Sequence, residues 1–151
     1  TGSPTPRRRP ARPLGRVVNR ATEPPERAIL DTSVIIAADI APLPGVLAIS
    51  AITLAELQFG VMVAKSAAVR AERLRRLSIV QRHFDALPVD EAVAISYGRL
   101  AAAVVDAGRQ PRRRVMDLLI AATAHAHGAR LYTRNVDDFA GLEELVEITG
   151  I

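Results

Sequence analysis

Short apolar runs, each closed by a polar or turn residue and followed by a stretch of helical character, recur along most of this chain. Arg27 to Leu30, Val46 to Ser50, Leu87 to Val89, Arg130 to Thr133 and Val146 to Thr149 read as strands. Residues 33–38, 53–64, 69–84, 91–107 and 117–127 read as helices between them, with Leu74, Leu77 and Val80 expected on the inner face of the third. Gly108 is a natural stop for the fourth helix, and Pro42, Pro44 and Gly45 mark a loop, as do Pro111 and the Arg residues after it. Strands this short and this uniformly apolar need cover on both faces. The expected fold is α/β: a three-layer sandwich with a small, mostly parallel sheet flanked by helices.

Composition narrows the function. The 151 residues suffice for one domain with a sizeable core. Cys is absent, which excludes disulfide scaffolds, zinc fingers, iron–sulfur clusters and thiol nucleophiles. Aromatic residues make up only 3%, too few for a sheet that stacks bases. The longest uncharged run, residues 40–55, is broken by two Pro and a Gly, so no membrane span is expected. No continuous apolar segment follows the basic N-terminus as in a secretory signal. These features lead to the expectation of a cytoplasmic protein.

The formal charge of +4 is uneven. Residues 1–26 hold six Arg against Glu23 and Glu26, together with six of the ten Pro, whereas residues 27–151 carry 14 basic and 14 acidic side chains. Residues 1–26 are therefore expected to be a disordered, basic, Pro/Arg-rich leader, and 27–151 the domain. Such a leader is either a solvated extension or an electrostatic arm for nucleic acid.

In an open parallel sheet, ligands sit beyond the carboxyl ends of the strands. Asp31 ends the first strand, and Thr133 to Asp138 follow a later one. Glu56 and Asp117 lie near the starts of helices. Each acid has an ordinary explanation: Asp31 or Asp117 as a helix cap, Thr53 with Glu56 as a capping box, and Asp138 as loop surface. Together they imply more, because carboxylates held close repel by about 4 kcal/mol per pair at an effective dielectric near 20. A cation relieves that repulsion. Hard oxygen donors without Cys select Mg²⁺, with Mn²⁺ as a substitute. His125 and His127, two residues apart, point to different sides of a helix and are expected to be structural. Carboxylate-bound metal that activates water is a standard device for phosphodiester hydrolysis and needs no nucleophilic side chain. No Gly-rich phosphate loop is present to suggest a nucleotide enzyme.

Four segments, centred on Asp31-Thr32-Ser33, on Thr53 to Gly60 around Glu56, on Asp117 to Ala124, and on Thr133-Arg134-Asn135 with Asp138-Phe139, resemble in order those of the PIN-domain ribonucleases, and most of all the VapC toxins of bacterial toxin–antitoxin modules. The likeness runs from about residue 28 to the C-terminus. It implies a PIN-like sandwich and a Mg²⁺- or Mn²⁺-dependent endoribonuclease that cuts tRNA or ribosomal RNA. It also implies a VapB-like antitoxin as partner, and a homodimer. Carried over, Asp31, Glu56, Asp117 and Asp138 are the catalytic and metal-binding acids, with Asn135 a further ligand. Either Asn135 or Asp138 fits as the fourth main ligand. Ser33, Thr133, Arg134, Arg112, Arg113 and Arg114 are candidates for binding phosphate or RNA, and Arg73 and Arg76 are more distant ones. The alternative is a PIN-like module that binds RNA or a protein without cutting. A small-molecule phosphohydrolase is disfavoured, because no Asp stands two residues after Asp31.

Overall fold

The computed structural model describes residues 24–37 and 41–151. Residues 1–23 of the expected leader, and residue 38 at the end of the first expected helix, lie outside the described residues. Glu26 is tied to the body: its carbonyl accepts from the Val46 amide at 2.8 Å, and its carboxylate lies 3.6 Å from Arg130.

Among the described residues five strands, β1 (Arg27–Leu30), β2 (Val46–Ser50), β3 (Ala86–Leu87), β4 (Arg130–Thr133) and β5 (Ile148–Gly150), form one sheet in the order β3-β2-β1-β4-β5. Every pairing is parallel, so the sheet is wholly rather than mostly parallel. Among the described residues five helices connect the strands: α1 (Thr32–Ile36), α2 (Ala51–Met62), α3 (Ala67–His83), α4 (Glu91–Asp106) and α5 (Val115–Ala126). Single 3-10 turns at Pro111–Arg114 and Val136–Phe139 precede α5 and follow β4. The first of these replaces the expected Arg loop.

Strand alternation builds two cores. Ile29 and Leu131 point to one face and pack with Val93, Leu100 and Val104 of α4 and Leu118, Ile120 and Ala121 of α5. Ala28, Leu30, Ile49 and Tyr132 point to the other and pack with Val34 of α1 and Val80 of α3. The Ala-rich composition of α5, whose Ala121, Ala122 and Ala124 are fully buried, lets it sit close to the sheet and to α4. Leu77 and Val80 are buried as expected, but Leu74 is 44% exposed. Positions three apart drift about 60° round a helix, so Leu74 lies about 120° from Val80 and leaves the narrow stripe that α3 presents. The turn before β2 requires glycine: Gly45 has φ +104°, and a Cβ there would stand 2.6 Å from the Glu26 carbonyl oxygen. Gly108, φ +76°, follows the end of α4 as the sequence suggests. Among the described residues no helix is long and apolar enough to cross a membrane.

Candidate active site

The carboxyl ends of β1, β2 and β4 lie side by side, and the expected acids emerge there. Asp31 follows β1 directly, and its amide continues the ladder by donating to the Tyr132 carbonyl at 2.9 Å. It occupies the cap position of α1 yet does not cap it with its side chain. Its Oδ2 instead accepts from Ser33 Oγ at 2.7 Å and from Thr133 Oγ1 at 2.8 Å. Asp31 as a whole is 5% exposed, and hydroxyls from two elements hold its carboxylate.

Glu56 stands on α2, in a setting different from the capping box. Ser50 is the cap, accepting from the Ile52 amide, so α2 begins earlier than expected and Thr53 lies inside it. Glu56 is thereby freed from its own helix terminus, and its Oε1 accepts from Thr32 Oγ1 at 2.8 Å. Thr32 and Thr53, which touch at 3.1 Å, are participants that sequence reasoning did not place at the site. The only signal was a hydroxyl directly after Asp31, which reads equally well as turn chemistry.

Asp117 lies in the first turn of α5, not at its cap, because the helix begins at Val115. A helix N-terminus favours a carboxylate by about 0.3–1 kcal/mol. The opposite influence wins here. Burial, followed by repulsion from Asp138, Asp31 and Glu56, pushes the Asp117 carboxyl up to about 6, and Arg114 offsets this only in part. Three acids from three other segments therefore press on a fourth, which is the electrostatic mark of convergence.

Asp138 sits in the 3-10 turn after β4, with Arg114 Nη1 3.9 Å from its Oδ1. The same Arg114 nitrogen donates to the Asp137 carbonyl at 3.0 Å, fixing that turn to the start of α5. Asn135 donates its amide to Thr133 Oγ1 at 3.0 Å and lines an open hollow with Arg134, Val136, Asp137 and Asp138. The Arg134 amide donates to Ser33 Oγ at 3.0 Å. Ser33 and Thr133, expected as phosphate binders, thus direct their hydroxyls at Asp31 and accept from the chain after β4. Arg113 and Arg114 line a notch with Arg109 and Gln110, while Arg112 is exposed on the same turn. Arg73 and Arg76 turn elsewhere: Arg73 donates to the Gly60 carbonyl, and Arg76 lines an apolar groove beside α3. His125 is bonded through Nδ1 to Ser96 Oγ at 2.8 Å, a tie between α5 and α4.

The donor set is hard and anionic. Among the described residues no three His, Asp or Glu side chains close around one point as a metal cage. Mg²⁺ does not need such a cage, since it keeps several waters and commonly takes only one or two protein carboxylates. Grouped acids that repel one another, with room between them, fit an ion of that kind.

Residues 28–145 match the PIN domain family. The chain is 39% identical over 125 residues to Ribonuclease VapC5 of Mycobacterium tuberculosis, covering 79% of this chain and 90% of that protein. It is 44% identical over 100 residues to Ribonuclease VapC8 of the same species, covering 64% and 88% respectively. The crystal structure of VapBC-5 from Mycobacterium tuberculosis, a member of the VapBC family of toxin–antitoxin systems, superposes with a TM-score of 0.74 at 39% identity, over 84% of this chain and 100% of that one. The fold, the order of its segments and these likenesses agree: the chain belongs to the PIN-domain family, among the VapC ribonucleases.

Proposed function

We propose that this protein is the toxin of a toxin–antitoxin pair, an endoribonuclease that hydrolyses RNA phosphodiesters with Mg²⁺, or Mn²⁺ in its place. The observation that carries the reading is the pressure of Asp138, Asp31 and Glu56 on Asp117, four carboxylates gathered with Arg114 as their close cation. Such a group is unstable by itself and stabilised by a cation. Asp31, Glu56, Asp117 and Asp138 would hold the metal, with the Asn135 amide oxygen as an added donor. The bound metal would supply an activated water and neutralise charge on the phosphate. Asp31, half of whose carboxylate is already committed to Ser33 and Thr133, offers its other oxygen in a fixed direction. Arg134 and the Arg112, Arg113 and Arg114 turn supply positive charge near the acids for an RNA backbone. The likeness to VapC ribonucleases supports RNA as substrate, with tRNA or ribosomal RNA as the expected targets in the cytoplasm.

The match to a VapBC assembly supports a VapB-like antitoxin as partner. The surface suited to it is an apolar groove of about 520 Å³ between α1 and α3, lined by Val34, Ile35, Leu47, Ile79 and Phe84, with Glu72, Arg75 and Arg76 also along it. A homodimer would cover part of the remaining exposed apolar surface, where Phe59 and Met62 stand out at 67% and 69%.

The test is to incubate antitoxin-free protein with total RNA in Mg²⁺ and in EDTA, and to map new 5′ ends. Discrete cuts that require metal are expected. Folded protein that makes no cuts with Mg²⁺ or Mn²⁺, yet retains RNA, would overturn the reading in favour of a binding module.

A further inference from the structure

Glu56 is the acid least restrained by its own backbone. It has three rotatable bonds, and holding such a side chain in one rotamer costs about 1–2 kcal/mol. Asp31 is short and anchored by two hydroxyls, whereas Glu56 reaches out from the middle of α2. What orients it lies on a different element. Thr32 Oγ1, from the first residue of α1, is 2.8 Å from Glu56 Oε1 and 3.1 Å from Thr53 Oγ1.

A hydroxyl has one hydrogen and two lone pairs. Thr32 Oγ1 lies in donor geometry to both Glu56 and Thr53, and the carboxylate is the stronger acceptor, so the Thr32 hydrogen goes to Glu56. Thr53 is completely buried and one turn before Glu56 on the same face of α2. Thr32 thus bridges Thr53 and Glu56 of α2 from the neighbouring helix α1. Thr32 is well suited to that place. It is β-branched and therefore stiff at χ1. Its backbone follows Asp31, which is pinned to β4 through the Tyr132 carbonyl.

We propose that Thr32 is the positioning residue for Glu56: its hydroxyl holds Oε1 and so presents Oε2 toward Asp31 and Asp117 for a divalent cation. This rests on the metal-site reading above. The arrangement repeats what Ser33 and Thr133 do for Asp31, where hydroxyls take one carboxylate oxygen and leave the other for a ligand. Consecutive residues, Thr32 and Ser33, thus serve two different acids. Partners of this kind typically contribute 10- to 100-fold to metal affinity.

The experiment uses Mn²⁺ alone, without RNA, and measures its dissociation constant by calorimetry for the wild type, Thr32→Val, Thr32→Ser, Glu56→Ala and the double variant Thr32→Val with Glu56→Ala. Val keeps the shape of Thr and removes the hydroxyl; Ser keeps the hydroxyl. Thr32→Val is expected to weaken Mn²⁺ about 10-fold or more, and Thr32→Ser to stay within about twofold of wild type. With Glu56 already removed, Thr32→Val should cause no further loss. If Thr32→Val binds as the wild type does, or weakens binding equally without Glu56, the role of Thr32 is overturned. Should Thr32→Val fail to fold, Thr32→Ala is read against the same two criteria. A wild type that takes up no Mn²⁺ contradicts the metal-site reading itself, an outcome distinct from wild-type binding that is indifferent to Thr32.

Discussion

At Asp117, burial and three neighbouring carboxylates act in one direction, and the consequence is a defined dependence on pH. Its carboxyl titrates near 6 in the folded protein against 3.8 when unperturbed. Between those values the folded chain holds a proton that the unfolded chain has released, so this group makes stability fall as pH rises from about 4 to 6. Above that window the ionised group burdens the fold in full, by about 1 kcal/mol once solvent screening of a half-exposed group is allowed for. Asp117→Asn removes the charge and keeps the shape. In metal-free buffer near neutral pH it should raise the melting temperature by about 3 °C, and the gain should vanish as pH falls toward 4. Thermal melts followed by circular dichroism check this; a gain independent of pH would contradict it. At this scale Asp31, Asp117 and Asp138 stand out in the sequence because each lies just past a strand or in the first turn of a helix, whereas Glu56 lies in the middle of α2. The hydroxyl partners of these acids do not stand out. Thr32 and Glu56 are 24 residues apart, and Thr133 and Asp31 are 102 apart, so those bonds exist only once α1, α2 and β4 have docked.

Among the elements, helix starts decided which explanation of an acid survived. The Thr53 and Glu56 spacing suits a capping box, yet Ser50 stands earlier and takes the cap, which leaves Thr53 buried and Glu56 turned toward Thr32. The start of α5 at Val115 likewise moves Asp117 from cap to first turn, where it feels the repulsion of carboxylates from other segments. Strand positions were legible to within two residues, because apolar runs bounded by turns leave little choice. Helix faces were legible only where packing is wide. On α3 the stripe is narrow, and it includes Leu77 and Val80 but not Leu74. Leu77→Ala should therefore lower stability by about 2–4 kcal/mol in urea unfolding, and Leu74→Ala by less than about 0.5 kcal/mol. Equal losses would contradict the orientation assigned to α3.

For the molecule as a whole, an all-parallel sheet covered on both faces concentrates function at one edge. Strand carboxyl ends converge there, backbone pairing is finished, and side chains from β1, α2, α5 and the turn after β4 can meet. The two cores supply the rigidity that keeps repelling carboxylates together, and Arg114 supplies partial compensation. The apolar groove between α1 and α3 opens on the face that Val34 of α1 shares with Leu30. The central question is whether these acids cut RNA. The most direct measurement is the single-turnover rate of cleavage of an RNA oligonucleotide spanning a mapped cut, in saturating Mg²⁺, by wild type, Asp31→Asn and Asp117→Asn, each shown by melting to be folded. Either substitution is expected to slow cleavage by about a thousandfold or more. Rates within about tenfold of wild type from folded variants would contradict this.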